Sequence, residues 1–218
     1  MTPDLDPDRR LALAYGPARA RAALEALWRL DVTLGAVLAG KREPMVARIR
    51  LAWWREALER LDTAPPPPEP VLQSVAAHVL PAGIAGASLA AMEEGWSILL
   101  AEESLDAEAL QAYARLRGGL LFRHSARLLG AAGEVESAGA RWALVDLARH
   151  STNPGEAAAA LKAAAGLAPE PAWPRALRAL AMLSLLARRD LERAPSPLER
   201  QGSPARMLRL LKYRLSGR

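Results

Sequence analysis

The chain has 218 residues and no cysteine, which excludes a disulfide framework and a zinc–thiolate site. Its 29 Lys and Arg against 24 Asp and Glu leave a net charge of +5, with no aromatic–basic interleaving and no recognition-helix motif, which excludes nucleic-acid binding. His78, His124 and His150 form no metal-ligand spacing and read as surface or packed histidines.

Strand signals are nearly absent, whereas helical periodicity runs throughout. A first helix is expected over about 8–15, stopped by Gly16 and Pro17, and a long second over about 18–39, ended by Gly40. The third opens at Pro44 and reads E-P-M-V-A-R-I-R-L-A-W-W-R-E-A-L-E-R-L from Glu43 to Leu61. Met45, Ile49, Trp53, Ala57 and Leu61 share one face, and Ala47, Leu51, Trp54 and Leu58 form a second apolar row. Two such rows predict a helix enclosed on more than one side. The Pro-rich stretch 64–70 cannot be helical and is read as a stiff loop inside one domain spanning 1–218.

Val71 to Met92 carries no charge other than a titratable His78, but Pro81, Gly83 and Gly86 break it into two short buried helices, not a membrane span. Further helices are expected over about 71–80, 83–101, 106–129, 135–150, 154–165, 171–192 and 204–215. Asn153-Pro154-Gly155-Glu156 and Ser203-Pro204 are N-terminal signatures, with a capping side chain followed by a first-turn proline. Gly118-Gly119 lies within a helical stretch with no strand before it and is read as a close helix approach, not a phosphate loop. Ser125 beside His124 is no nucleophile constellation, since neighbours on a helix diverge by about 100°. Glu93, Glu94, Glu102 and Glu103 read as solvated charge. The predicted architecture is an all-α, irregular multi-helix domain of about ten helices. Towards the C-terminus Arg200, Arg206, Arg209, Lys212, Arg214 and Arg218 face only Glu199, a basic tail suited to an acidic partner or peripheral contact with anionic lipid. No signal-peptide layout opens the chain, so a soluble cytoplasmic protein is expected.

The ordered set Leu27-Trp28-Arg29-Leu30, Pro44-Met45 and Arg48-Ile49-Arg50-Leu51-Ala52-Trp53-Trp54-Arg55-Glu56 resembles the squalene/phytoene synthase family. So does the run from Tyr113 through Gly118-Gly119-Leu120 to Leu128-Leu129-Gly130, as do Gly139 to Arg149 and the tail from Ser203 to Arg218. The resemblance implies the isoprenoid synthase type of fold. It also implies head-to-head joining of prenyl diphosphates, assisted by magnesium held on two aspartate-rich motifs of facing helices.

Those motifs are not where the resemblance places them. The first should follow Trp28 by about seven residues, where Thr33-Leu34-Gly35-Ala36-Val37-Leu38-Ala39 holds no carboxylate and Asp31 stands one turn too early. In the second, Asp146 and Arg149 match, but His150 replaces an aspartate and no further carboxylate follows before Pro154. A magnesium cofactor, expected for active members, therefore lacks its ligands, and neither a metal site nor a catalytic residue is assigned. The chain is also short between Gly155 and Pro169.

The leading expectation is a non-catalytic member, a scaffold or assembly protein binding a protein partner or an isoprenoid, similar to the branch associated with complex I assembly. Its candidate pocket comprises Trp28, Asp31, Gly35, Trp53, Trp54, Phe122, Trp142, Asp146 and Arg149. The alternative is a prenyl diphosphate-handling transferase of squalene or phytoene biosynthesis. In it Arg117, Arg123, Arg127 and Arg149 converge on the diphosphate in place of magnesium.

Overall fold

Helix starts are set by local chemistry that the chain repeats: a capping side chain, then proline in the first turn, where its missing N–H leaves no donor unsatisfied. Asp6 accepts from the Arg9 amide at 3.0 Å and opens α1 (Pro7–Ala14). Glu69 caps α4 (Pro70–His78), Asn153 caps α9 (Pro154–Ala165) and Ser203 caps α11 (Pro204–Ser216) in the same way. The computed structural model describes residues 4–38, 43–100, 105–131, 133–170, 172–194 and 197–217. Glu102, Glu103 and Arg218 lie outside these.

The remaining helices are α2 (Ala18–Leu38), α3 (Pro44–Arg60), α5 (Gly86–Ser97), α6 (Ala107–Tyr113), α7 (Leu120–Leu128), α8 (Glu136–His150) and α10 (Arg178–Arg193). Among the described residues there are helices and turns but no strand. A π-helical segment, Ala114–Gly119, joins α6 to α7, so 107–128 is one continuous helix and the described residues form ten such helices in an all-α fold. No described helix is long and apolar enough to cross a membrane.

The break expected near Pro81 is present as a one-turn 3₁₀ helix, Leu80–Ala82, ended by Gly83 at φ +76°. The next helix is capped from a distance: the Asp62 carboxylate accepts from the amides of Gly86 at 2.6 Å and Ala87 at 3.0 Å. Expected start and observed start differ for α10. It begins at Arg178, after a 3₁₀ turn over Arg175–Leu177, because Pro174 is extended and disfavours helical geometry in the residue before it; the expected start at 171 lies outside the described residues.

The core centres on α2, whose Leu24, Leu27, Trp28, Leu30 and Leu34 are fully buried. It packs against α4, α7 and α3, while α8 packs against the π segment, α9 and α10. The backbones of α8 and the π segment nearly touch: a Cβ on Gly118 would stand 2.0 Å from the carbonyl oxygen of Gly139, and one on Gly139 would stand 2.1 Å from that of Gly118. The expected close approach is therefore a glycine–glycine crossing.

One expectation about α3 is overturned. Its second row is buried through Ala47, Leu51, Trp54 and Leu58, but Met45, Ile49 and Trp53 of the first row are 67%, 63% and 45% exposed. Ala57 and Leu61 of that row are buried. The first half of α3 thus meets neighbours on one side only, because α5 and α2 cover its inner face and no described element lies over its outer one.

Candidate functional site

The two aspartates singled out in the sequence meet in the interior through one cation. Arg117, carried on the π segment, is almost fully buried, and its guanidinium reaches across to both α2 and α8. Nε donates to Asp31 Oδ1 at 3.0 Å, while Nη2 donates to Asp31 Oδ2 at 3.2 Å and to Asp146 Oδ2 at 2.7 Å. Nη1 donates to the Tyr113 hydroxyl, one turn back on the same helix. All three guanidinium nitrogens are engaged, the planar fork being suited to a carboxylate.

Asp31 is equally committed. Besides Arg117 it accepts from Trp96 Nε1 at 3.2 Å and pairs with Arg9 Nη1 at 3.0 Å. Arg9 Nε in turn lies 3.0 Å from Asp6. Aromatic faces close the remaining sides: the Arg117 guanidinium stands 4.0 Å from the centre of Trp96, 4.9 Å from Trp142 and 5.7 Å from Tyr113, with Arg9 at 4.7 Å from Trp142. Cation–π attraction strengthens as the groups leave bulk water, and Arg117 is buried.

The electrostatics follow from burial and pairing together. Burial alone would push the Asp146 carboxyl up, but the Arg117 guanidinium, His150 and Arg9 hold it down at about 2. Burial pushes the Tyr113 phenol well above its ordinary value. It also raises the Asp6 carboxyl, against the opposing pull of Arg9. Burial weakens the charge on Arg117, but Asp31, Tyr113 and Asp146 outweigh it, so the guanidinium is held still more firmly protonated than usual.

A second ion-pair cluster lies between α1, α8, α10 and α11. Arg206 donates from Nε to Asp8 at 2.9 Å and from Nη1 to Asp190 at 2.7 and 2.9 Å. Arg149 pairs with Asp190 and donates to the Glu199 carbonyl. A cavity of about 20 Å³ separates the clusters, lined by Asp6, Asp8, Arg9, Asp146, Asp190 and Arg206 among others. That is room for about one water molecule, and its walls are charged.

The candidate pocket residues therefore divide. Asp31, Asp146 and Trp142 belong to the first cluster and Arg149 to the second. Phe122 packs 5.9 Å from Trp142, and Trp28 donates to Ser125 Oγ at 3.0 Å, both within the core. Trp54 is buried, whereas Trp53 points outward and meets Trp54 edge to face at 5.2 Å. Gly35 gives its space to Trp96, whose ring would lie 2.7 Å from a Cβ there.

The proposed diphosphate arginines do not converge. Arg117 is buried on its own carboxylates, Arg123 and Arg127 are exposed, Arg127 donates to the Ala82 carbonyl at 3.0 Å, and Arg149 is tied to Asp190. Helix geometry explains this, since the face that carries Arg123 and Arg127 lies away from the one that carries Phe122 and Ser125 inward. Arg206, counted with the basic tail, is likewise buried.

Sequence reasoning missed Trp96, Arg9, Tyr113, Asp8 and Asp190. For Trp96 and Asp8 the partners lie far off in the chain, 65 residues away at Asp31 and 198 at Arg206, beyond the reach of helical spacing, whereas Tyr113 stands four residues before Arg117, a spacing that could have paired them. His124 is buried against Ser88, and burial pushes its imidazole down to about 4, so it is neutral at ordinary pH. Glu93 is buried as well, accepting from Ser97, which corrects its reading as solvated charge, while Glu94 is exposed.

The described residues contain no group of three or more His, Asp or Glu placed to hold a metal ion. The carboxylates that face the interior already have arginine partners.

The sequence profile of the squalene/phytoene synthases matches residues 3–168. The chain belongs to the squalene/phytoene synthase family. A crystal structure of a dehydrosqualene synthase in complex with a ligand superimposes with a TM-score of 0.72 at 13% identity, over 96% of this chain and 91% of that one. At that identity the likeness concerns the fold, which is the one the family resemblance implied. No curated protein matches the chain significantly.

One residue beside the Arg117 cluster is diagnostic. In Gly35→Ala, the new methyl must displace the Trp96 indole, which has Asp31, Arg117 and Tyr113 as neighbours. Overpacking of this kind costs about 1–3 kcal/mol, against a gain of about 1 kcal/mol in helix propensity. The expected result is a lowered melting temperature together with a changed near-ultraviolet circular dichroism signal from tryptophan.

Proposed function

We propose that this squalene/phytoene synthase family member does not carry out magnesium-assisted prenyl diphosphate chemistry and works by binding, as a scaffold or assembly protein. The observation that carries the reading is Arg117. It bridges Asp31 on α2 and Asp146 on α8, the helices on which the family resemblance places the two magnesium motifs. Magnesium needs free carboxylate oxygens with little competing positive charge. Here Asp31 meets two guanidiniums and an indole N–H, and Asp146 meets Arg117 and His150. A divalent cation would have to displace an arginine whose own charge would then be left buried and unpaired, at a cost of several kcal/mol.

The same groups argue against an internal isoprenoid. Trp96, Trp142 and Tyr113 close around Arg117, and the space between the two ion-pair clusters suits a water molecule, not an apolar chain. Likeness to the branch associated with complex I assembly belongs to this proposal and rests on Pro44-Met45 ahead of the Trp53-Trp54 helix, together with the absent aspartate motifs.

Calorimetric titration with farnesyl diphosphate, with and without magnesium, tests the reading. The expected result is no saturable heat in either condition and no condensation product on prolonged incubation. Magnesium-dependent binding, or any head-to-head product, overturns it. Binding without magnesium would instead restore the diphosphate-handling alternative.

A further inference from the structure

Helix α11 packs by one face and presents an opposite one that is apolar. Arg206, Leu210 and Tyr213 hold it to the body, the first through the buried pairs with Asp8 and Asp190. On the far side Leu208, Leu211 and Leu215 are 66%, 39% and 78% exposed. At about 100° per residue these three leucines fall within about 60° of one another, on the side away from the packed face of Arg206, Leu210 and Tyr213.

The flanks of this stripe are basic. Arg209 and Lys212 are exposed on one side, and Arg214 on the other lies over the Tyr15 ring at 4.6 Å. From Pro204 to Ser216 the helix contains no Asp or Glu. The second exposed stripe of the molecule, Met45, Ile49 and Trp53 on α3, differs in this respect, because Glu43 precedes it and Glu56 and Glu59 follow on the same helix.

We propose that α11 is an interfacial helix that lays Leu208, Leu211 and Leu215 onto an anionic lipid surface. An isolated water-facing leucine needs no explanation, but three in register, with cations and no anions beside them, match a bilayer boundary: acyl chains for the leucines, headgroup phosphates for Arg209 and Lys212. The charge pattern selects lipid over a second copy of the chain, since stacking two such helices would bring like charges together. This surface lies on the outside of the fold and does not depend on what the interior does.

The full chain should co-sediment with vesicles containing phosphatidylserine and not with vesicles of phosphatidylcholine alone, and raised salt should release it, because exposed charges are screened. In Leu211→Glu/Leu215→Glu the bound fraction at a fixed lipid concentration should fall about tenfold, since apolar burial and electrostatic attraction are both lost. Both side chains are exposed, so the variant should keep its circular dichroism spectrum and melting temperature. Ile49→Ser, on the α3 stripe, should bind as the parent does. Equal binding by the α11 variant, loss of binding in Ile49→Ser, or failure of the parent to bind any vesicle overturns the assignment. So does a dimer in solution that the α11 substitutions dissolve, which would make the stripe a contact between copies.

Discussion

Replacing Arg117 by methionine should cost about 3–5 kcal/mol of stability at neutral pH, because it leaves Asp31 and Asp146 buried with much of their compensating charge removed. Methionine approximates the length of the side chain, so the loss reports charge more than volume. The measurement is the urea midpoint against that of the parent protein. A triple substitution, Arg117→Met with Asp31→Asn and Asp146→Asn, should recover much of the loss, since replacing every member of a buried ion cluster is far less costly than orphaning one. Arg9 keeps Asp6 as a partner in that variant.

The pH dependence has a definite sign. The Asp146 carboxyl is held down from 3.8 to about 2, so its pairing stabilises the fold above its unfolded value. That contribution drains away as pH falls from about 4 towards about 2. In Arg117→Met the main cause of the depression is gone. The difference in stability between parent and variant should therefore narrow on acidification through that window. An unchanged difference would mean that Arg117 acts through packing and not through the Asp146 charge.

The second large effect is expected where helix meets helix. Gly118→Ala would drive a methyl to 2.0 Å from the Gly139 carbonyl oxygen, and Gly139→Ala would do the same to the Gly118 carbonyl. Neither contact can be relieved by turning a side chain, so α8 and the π segment must move apart, and Arg117 sits one residue from the crossing. Overpacking costs typically about 1–3 kcal/mol and more where backbone must shift, and the expected loss lies at or above the top of that range. Gly119→Ala, whose nearest neighbour would stand at 3.7 Å, should be close to neutral in packing and is the control. Thermal melting of the three variants separates the crossing from a general intolerance of alanine in this helix.

The helices were legible because their signals are local. Asn153-Pro154 and Ser203-Pro204 cap and start helices within three residues of chain, and the observed starts fall on them. Enclosure was not legible on α3: periodicity shows which residues share a face, but among the described residues no element covers Met45, Ile49 and Trp53. At the site, Asp31, Asp146 and Arg117 were all visible in the sequence, yet their roles were not. The transferase alternative turns Arg117 towards a diphosphate, whereas its side chain faces the two aspartates. No spacing rule connects residues 86 and 29 positions apart, and none marks Trp96 as the group that fills the space left by Gly35.

The π segment places a positive charge between two aspartate-bearing helices by covalent attachment. A metal ion in solution occupies a site in proportion to its concentration and leaves on dilution or chelation. A guanidinium tethered to the chain has a constant local concentration and no route of escape. On the reading proposed above, Arg117 links Asp31 of α2 to Asp146 of α8 without an ion from the surroundings, and the melting temperature of this protein should be indifferent both to chelators and to added magnesium.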